Sequence, residues 1–146
     1  MSVKLGLDAK LYRNTGSYAT PAWNEVKVVK DVTLNLEAGE ADVTSRGNGG
    51  WRAIIATLKD ASLEFEMVWD TADEDFTAIR TAFFAKSALE FAVMDGPIAT
   101  AGSEGLRASM AIINFSRSEP LEEAIKVSVT AKPTYADNPP EWMEAS

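Results

Sequence analysis

LEFEMVWDTADEDFTAIRTAFFAK, residues 63–86, changes its hydrophobic period partway along. Leu63, Phe65 and Met67 alternate with Glu64, Glu66 and Val68. That is the period of a strand with one face on a core and the other toward water. Further on, Phe76, Ile79 and Phe83 fall at i, i+3 and i+7, the stripe of an amphipathic helix. Thr71 and Glu74 have capping-box spacing, in which each side chain satisfies an amide of the helix start. Asp73, Glu74 and Asp75 sit where the helix dipole favours negative charge, and Lys86 sits where it favours a cation. The stretch therefore predicts a strand, then a helix over about 72–86 whose aromatic stripe is core packing.

Outward from this segment, only strand patterns recur. Val32, Leu34 and Leu36 alternate with Thr33, Asn35 and Glu37, and Leu89, Phe91 and Val93 form another set. Ile125, Val127, Val129 and Ala131 alternate with Lys126, Ser128, Thr130 and Lys132. Residues 107–115 are apolar on both faces, which predicts a strand covered by a neighbour. Loops are expected at 14–24, 37–52, 95–105 and 118–124. The 37–52 stretch carries four glycines and reads as a long connection that is either mobile or functional. The chain reads as mainly β with one flanking helix, a single domain over 1–135, and an extended tail over 136–146 with Trp142 as its anchor.

Composition narrows the chemistry. With 146 residues the chain suits one domain with one core. It contains no cysteine and no histidine. Disulfides, thiolate nucleophiles and Ser-His-Asp or Cys-His machines are therefore excluded, along with the commonest metal ligand. No apolar run is long enough to span a membrane, and the N-terminus lacks the pattern of a secretory signal, so synthesis and folding in the cytoplasm are expected. The net charge is −8. Residues 1–60 hold 8 Lys/Arg against 7 Asp/Glu, whereas residues 61–146 hold 6 against 15. Such a chain is a poor phosphate binder, because counterion release needs clustered cations.

Three motifs invite a ligand and each has a plainer reading. Gly47-Asn48-Gly49-Gly50 lacks the GK[ST] ending of a phosphate loop and is followed at once by Trp51, so it reads as a turn. Asp70, Asp73, Glu74 and Asp75 lack the order and the sixth-place glycine of a calcium loop, and helix-start chemistry accounts for them. Trp23, Trp51, Trp69 and Trp142 could form a sugar platform, yet aromatics are equally favoured in cores and protein interfaces. No catalytic residue, cofactor or metal is expected. A carbohydrate-binding β-sandwich stays open as an alternative on the tryptophans alone.

EADVTSRGNGGWRAIIATLKDASL, residues 40–63, resembles the major tail-tube proteins of long-tailed phages. The resemblance rests on Val43-Thr44, Arg46, the turn Gly47–Gly50, Trp51, and the strand start Leu58-Lys59-Asp60-Ala61-Ser62-Leu63. It continues through LEFEMVWD, the capped helix DEDFTAIRTAFF and the closing strand IKVSVTAKPTY. Ala56-Thr57 stands where relatives often carry a glycine before the leucine. The resemblance spans about 1–135. It implies a β-sandwich or partly rolled barrel with one flanking helix, built into hexameric rings that stack as a tube in the virion tail. It implies as partners further copies of the chain and other tail proteins, with DNA passing through without tight binding and no membrane. Val43, Thr44, Arg46, Gly47, Asn48, Gly49, Gly50 and Trp51 are the residues expected to touch neighbouring subunits. A secretion-type tube, which shares the architecture, is the other reading of the resemblance.

Overall fold

The computed structural model describes residues 3–145. Met1, Ser2 and Ser146, which fall within the expected domain and tail, lie outside the described residues. The strands are β1 (Lys10–Asn14), β2 (Trp23–Glu25), β3 (Val29–Asp42), β4 (Ile54–Val68), β5 (Ala88–Met94), β6 (Glu104–Ser118), β7 (Lys126–Pro133) and β8 (Glu141–Glu144). The single α-helix among the described residues, α1, spans Glu74–Ala85. All strand pairs are antiparallel, in the order β2-β1-β5-β6-β7-β4-β3, and β8 pairs with β6.

The sheet is one surface rather than two stacked ones, and it curls. β5 and β4 are three places apart in the order, about 14 Å along a flat sheet. Yet the Phe65 and Phe91 rings on these strands meet edge to face with centroids 6.4 Å apart. The sheet rolls over its own apolar face without closing, and α1 fills the open side. Phe91, Leu63, Phe65, Met67, Met110, Val127 and Val129 interlock inside with Phe76 and Ile79 of the helix. A smaller cluster of Tyr12, Ala92 and Met94 lies on the other side of β1 and β5 and takes in Trp23, Ile98 and Met143.

The helix forms where the period changed, with two differences of detail. Its cap is Asp73, whose carboxylate accepts from the Phe76 N–H at 2.9 Å, not Thr71. Asp is as good a cap as Thr, and here it holds the residue immediately before the helix. The buried stripe is Phe76, Ile79 and Ala82. Phe83 is only half-buried at the rim, where it stacks on Phe115 with centroids 6.0 Å apart. The acids that could suggest a metal loop are spent locally: Asp70 accepts from Ala72 N–H, Asp73 caps, and Asp75 binds Arg13 and Asn24.

The 37–52 stretch is not one long loop. β3 continues through Asp42 and β4 begins at Ile54, so the connection is 43–53 alone. Residues 37–42 read as loop because neither face of the ribbon is buried in the subunit, so no apolar stripe marks the strand. The tail forms β8, pairing Glu141–Glu144 with Glu104–Arg107. Tyr18 donates its phenol to Glu141 at 2.7 Å, and the Trp142 indole donates to Glu104 at 2.9 Å. Where the tail crosses, Arg107 is clamped. It makes two hydrogen bonds to Glu90, at 3.0 and 3.1 Å, one to the Tyr18 carbonyl at 2.8 Å, and lies 3.7 Å over the Tyr18 ring. Gly105 in β6 has no room for a side chain, because a Cβ there would run into the Val93 carbonyl.

Candidate assembly interface

The β3–β4 hairpin leaves the body of the protein. β4 pairs with β7 only over Leu63–Val68, while its pairing with β3 runs on to Asp42↔Ile54. Beyond Ala61 the two strands form a ribbon exposed on both faces. A two-stranded ribbon is marginal alone in water, and this one exposes Leu36, Ile54, Ile55 and Leu58. An irregularity between Ala38 and Glu40 bends it. Gly39 sits there with Thr57 Oγ1 only 2.6 Å from where a Cβ would be, so a larger residue would displace the Thr57 side chain.

The structure brings Val43, Thr44, Arg46, Gly47, Asn48, Gly49, Gly50 and Trp51 together at the ribbon's tip, all of them exposed. The tip has internal order. Val43 N–H donates to Ala53 O at 2.9 Å, Thr44 Oγ1 accepts from Ala53 N–H at 2.9 Å, and the Asn48 amide donates to Trp51 O at 2.9 Å. A 3-10 turn over Arg46–Asn48 is closed by Gly49 and Gly50, at φ +63° and +85°, conformations that favour glycine. Trp51 is 77% exposed and belongs to neither apolar cluster. Asp42 at the base has its carboxyl held below the usual aspartate range by hydrogen bonds from the Thr44 hydroxyl and then the Thr44 N–H.

Two of the unpaired strand edges among the described residues flank the same part of the sheet. β3 ends the sheet order, and β6 has no strand beside Ile112–Ser118 on the side where β5 pairs with Gly105–Ala111. These edges bound a four-stranded patch, β6-β7-β4-β3. Cross-strand partners share a face, so the registers define what its outer face carries. Asn114 and Ser116 lie on β6, Ser128 and Thr130 on β7, Ser62, Glu64 and Glu66 on β4, and Thr33, Asn35 and Glu37 on β3. The charges there are Glu37, Asp60, Glu64 and Glu66 against Lys30, Lys126 and Lys132. No cationic stripe runs along it. Sequence reasoning missed this face as a unit, because alternation shows that a strand has a polar side but not which polar sides adjoin.

The tryptophans do not share a platform. Trp23 is on β2, Trp51 at the ribbon tip and Trp142 on β8, while Trp69 at the end of β4 packs edge-on against Phe76 with centroids 5.0 Å apart. Among the described residues no three Asp or Glu converge as a metal site.

Open edges on two sides of a polar-faced patch, with a ribbon exposed on both faces, are features of a chain that assembles with others. The chain belongs to the phage tail tube protein family, whose family model it matches over residues 10–134. It is thus a structural tube subunit of the virion tail. Its fold is similar to that in the tail of an empty gene transfer agent particle, solved with C6 symmetry. There the identity is 18%, the TM-score 0.74, and the match covers 99% of this chain and 100% of the other. The SPP1 tail tube matches at 16% identity and TM-score 0.69, over 89% of this chain and 75% of the other. A chain of the anti-feeding prophage baseplate matches at 11% identity and TM-score 0.63, over 100% and 99%. No curated protein matches the chain.

Proposed function

We propose that six copies join edge to edge into a ring, and that rings stack into a tube through which DNA leaves the capsid. The carrying observation is the pair of open edges, β3 and β6 Ile112–Ser118, at the two limits of one polar-faced patch. Main-chain pairing of β3 on one copy with β6 on the next is a heterologous contact that closes when the rotation between copies is one sixth of a turn. It also removes the edges that would otherwise make the free chain prone to aggregate. Four strands from each of six copies, the symmetry of the gene transfer agent tail, make a barrel of 24. At about 4.8 Å per strand and a tilt of about 40° the backbone circle is about 50 Å across, leaving roughly 40 Å inside the side chains. Duplex DNA fits that width.

The polar face then lines the channel. Four acids and three lysines set among hydroxyl and amide side chains offer no clustered cations for phosphates to displace counterions from. The role is structural and needs no catalytic group, and the partners are further copies and the proteins that begin and end a tail. A secretion-type tube is the second reading, and the shared fold of a chain in the anti-feeding prophage baseplate is compatible with it. Electron microscopy of the purified chain tests the assembly. Hexagonal rings and tubes are expected, and a protein that stays monomeric at high concentration would refute it.

A further inference from the structure

We propose that the bulge at Asp31 in β3 is a stop that sets the register between neighbouring copies of this chain. The β6 strand of the next copy pairs with β3 only beyond the bulge, displaced toward the ribbon tip by about four to six residues. The inference rests on the edge-to-edge ring proposed above and names the register of its seam.

The strand registers lay the patch out in rows. Ser116, Ser128, Glu66 and Lys30 form one polar row across β6, β7, β4 and β3, and Asn114, Thr130, Glu64 and Thr33 form another. Between these rows β4 carries Phe65 alone, whereas β3 carries both Asp31 and Val32. The extra residue makes a bulge. Asp31 stands in it at φ +53°, in the left-handed region that disfavours any residue with a side chain. Bulges and charged side chains are the devices that keep an open edge from pairing. Here the bulge is joined by Lys30 and Asp31, both exposed, on the strand that ends the sheet.

Ile112–Arg117, in the open stretch of β6, shares its rows with Leu34–Val29. A seam without displacement would therefore set Phe115 of the next copy against the bulge. Ring closure disfavours that seam too. With strands tilted by about 35–45°, each step of about 4.8 Å to a neighbouring strand brings a slide of about 1 to 1.5 residues, so four strands accumulate about four to six. Copies related by rotation alone take up that slide at the seam. A slide away from the tip carries β6 past Val29, where β3 begins, and leaves the edges almost without overlap. A slide toward the tip seats β6 beyond the bulge, on the stretch from Thr33 to Gly39. The slide is an even number of residues, because an odd one would turn the polar face of one copy to the apolar face of the next. A slide of about four residues sets Ser116 of the next copy beside Asn35, and one of about six sets it beside Glu37.

The full-length chain, which has no cysteine, reports this register by disulfide trapping in its tubes. Ser116→Cys with Asn35→Cys, or Ser116→Cys with Glu37→Cys, should give a ladder of linked copies, because opposed residues of an antiparallel pair stand at disulfide distance. Ser116→Cys with Lys30→Cys should stay unlinked. Linkage through Lys30→Cys, or through none of the three, would overturn the register and leave the ring intact. Deleting Asp31 keeps Lys30↔Glu66 and Thr33↔Glu64 and leaves Val32 alone opposite Phe65. That variant should lose regular tubes to irregular sheets and filaments. Asp31→Gly retains the bulge in a conformation that glycine accepts, and should form tubes as the wild type does. Regular tubes from the deletion, or none from Asp31→Gly, would overturn the stop. Failure of the wild type to form any ring or tube would overturn the seam and the tube reading together.

Discussion

Arg13 on β1 donates from Nε to Asp75 Oδ1 at 2.8 Å, tying the first turn of α1 to a strand 62 residues earlier in the chain. Both side chains are almost wholly buried, and Asn24 donates to the same carboxylate at 2.9 and 2.8 Å. Among the described residues no buried side-chain nitrogen or oxygen lacks a partner, so the network is complete. Removing one member of a buried pair strands the other. Asp75→Ala is expected to cost about 3–5 kcal/mol in denaturant melts. A loss under about 1 kcal/mol would show that the helix is held by its apolar face alone.

Phe76 and Phe83 should separate in the same assay. Phe76 is fully buried, against Trp69 and Phe115, and Phe76→Ala should cost about 3–5 kcal/mol. Phe83 stands at the rim, so Phe83→Ala should cost clearly less. Equal losses would mean that the helix turns a different face to the sheet.

Deleting residues 44–50 should leave the melt of the subunit unchanged while tubes disappear from electron micrographs. The tip is exposed throughout and none of its residues belongs to either apolar cluster. Normal tubes from the deletion would remove the tip from assembly.

Asp42 ties the tip to acid. Its carboxyl titrates below the ordinary 3.8, through the Thr44 hydroxyl first and the Thr44 amide second. A carboxyl lowered in the folded state stabilises it above the unfolded value, and that contribution is lost as pH falls through the folded value. Amide exchange at Thr44 should therefore quicken as pH drops below about 4, once the intrinsic pH effect is divided out, and Asp42→Asn should abolish the change. An Asp42 titration midpoint at or above 3.8 in a carbon-13 NMR series would contradict it.

No affinity for random duplex DNA is expected at physiological salt, measured by fluorescence anisotropy. The chain carries −8, and the candidate channel face lacks a cationic stripe. Replacing Glu37, Asp60 and Glu64 with Lys should leave assembly largely intact and slow DNA delivery in an infectivity assay. Salt-sensitive micromolar binding by the wild type would defeat the expectation.

What was legible in the sequence follows burial. Leu63, Phe65, Met67 and Val127, Val129, Ala131 alternate because one side of each strand is buried within the subunit, and both strands stand where the period places them. Residues 37–42 and 54–60 are also paired strands, with one irregularity between Ala38 and Glu40, yet both faces are exposed and no buried side imposes an alternation. The turn at 47–50 was legible in its glycines, two of which, Gly49 and Gly50, stand at positive φ. The edges of β3 and β6 left no trace, since main-chain hydrogen bonding is indifferent to side-chain type.

The ribbon's anchorage has a mechanical result. Ala61 is its last residue in the core, so the stretch from Asp60 back to Ile54 acts as a lever about 20 Å long. A tilt of about 10° at Asp60 carries Ile54 sideways by about 3.5 Å, with the buried side chains of Ala61 and Leu63 left in place. The ribbon is thus the compliant part of the subunit and the curled sheet with α1 its rigid part, so a proposed tube of such subunits would flex at the ribbons and keep its walls stiff.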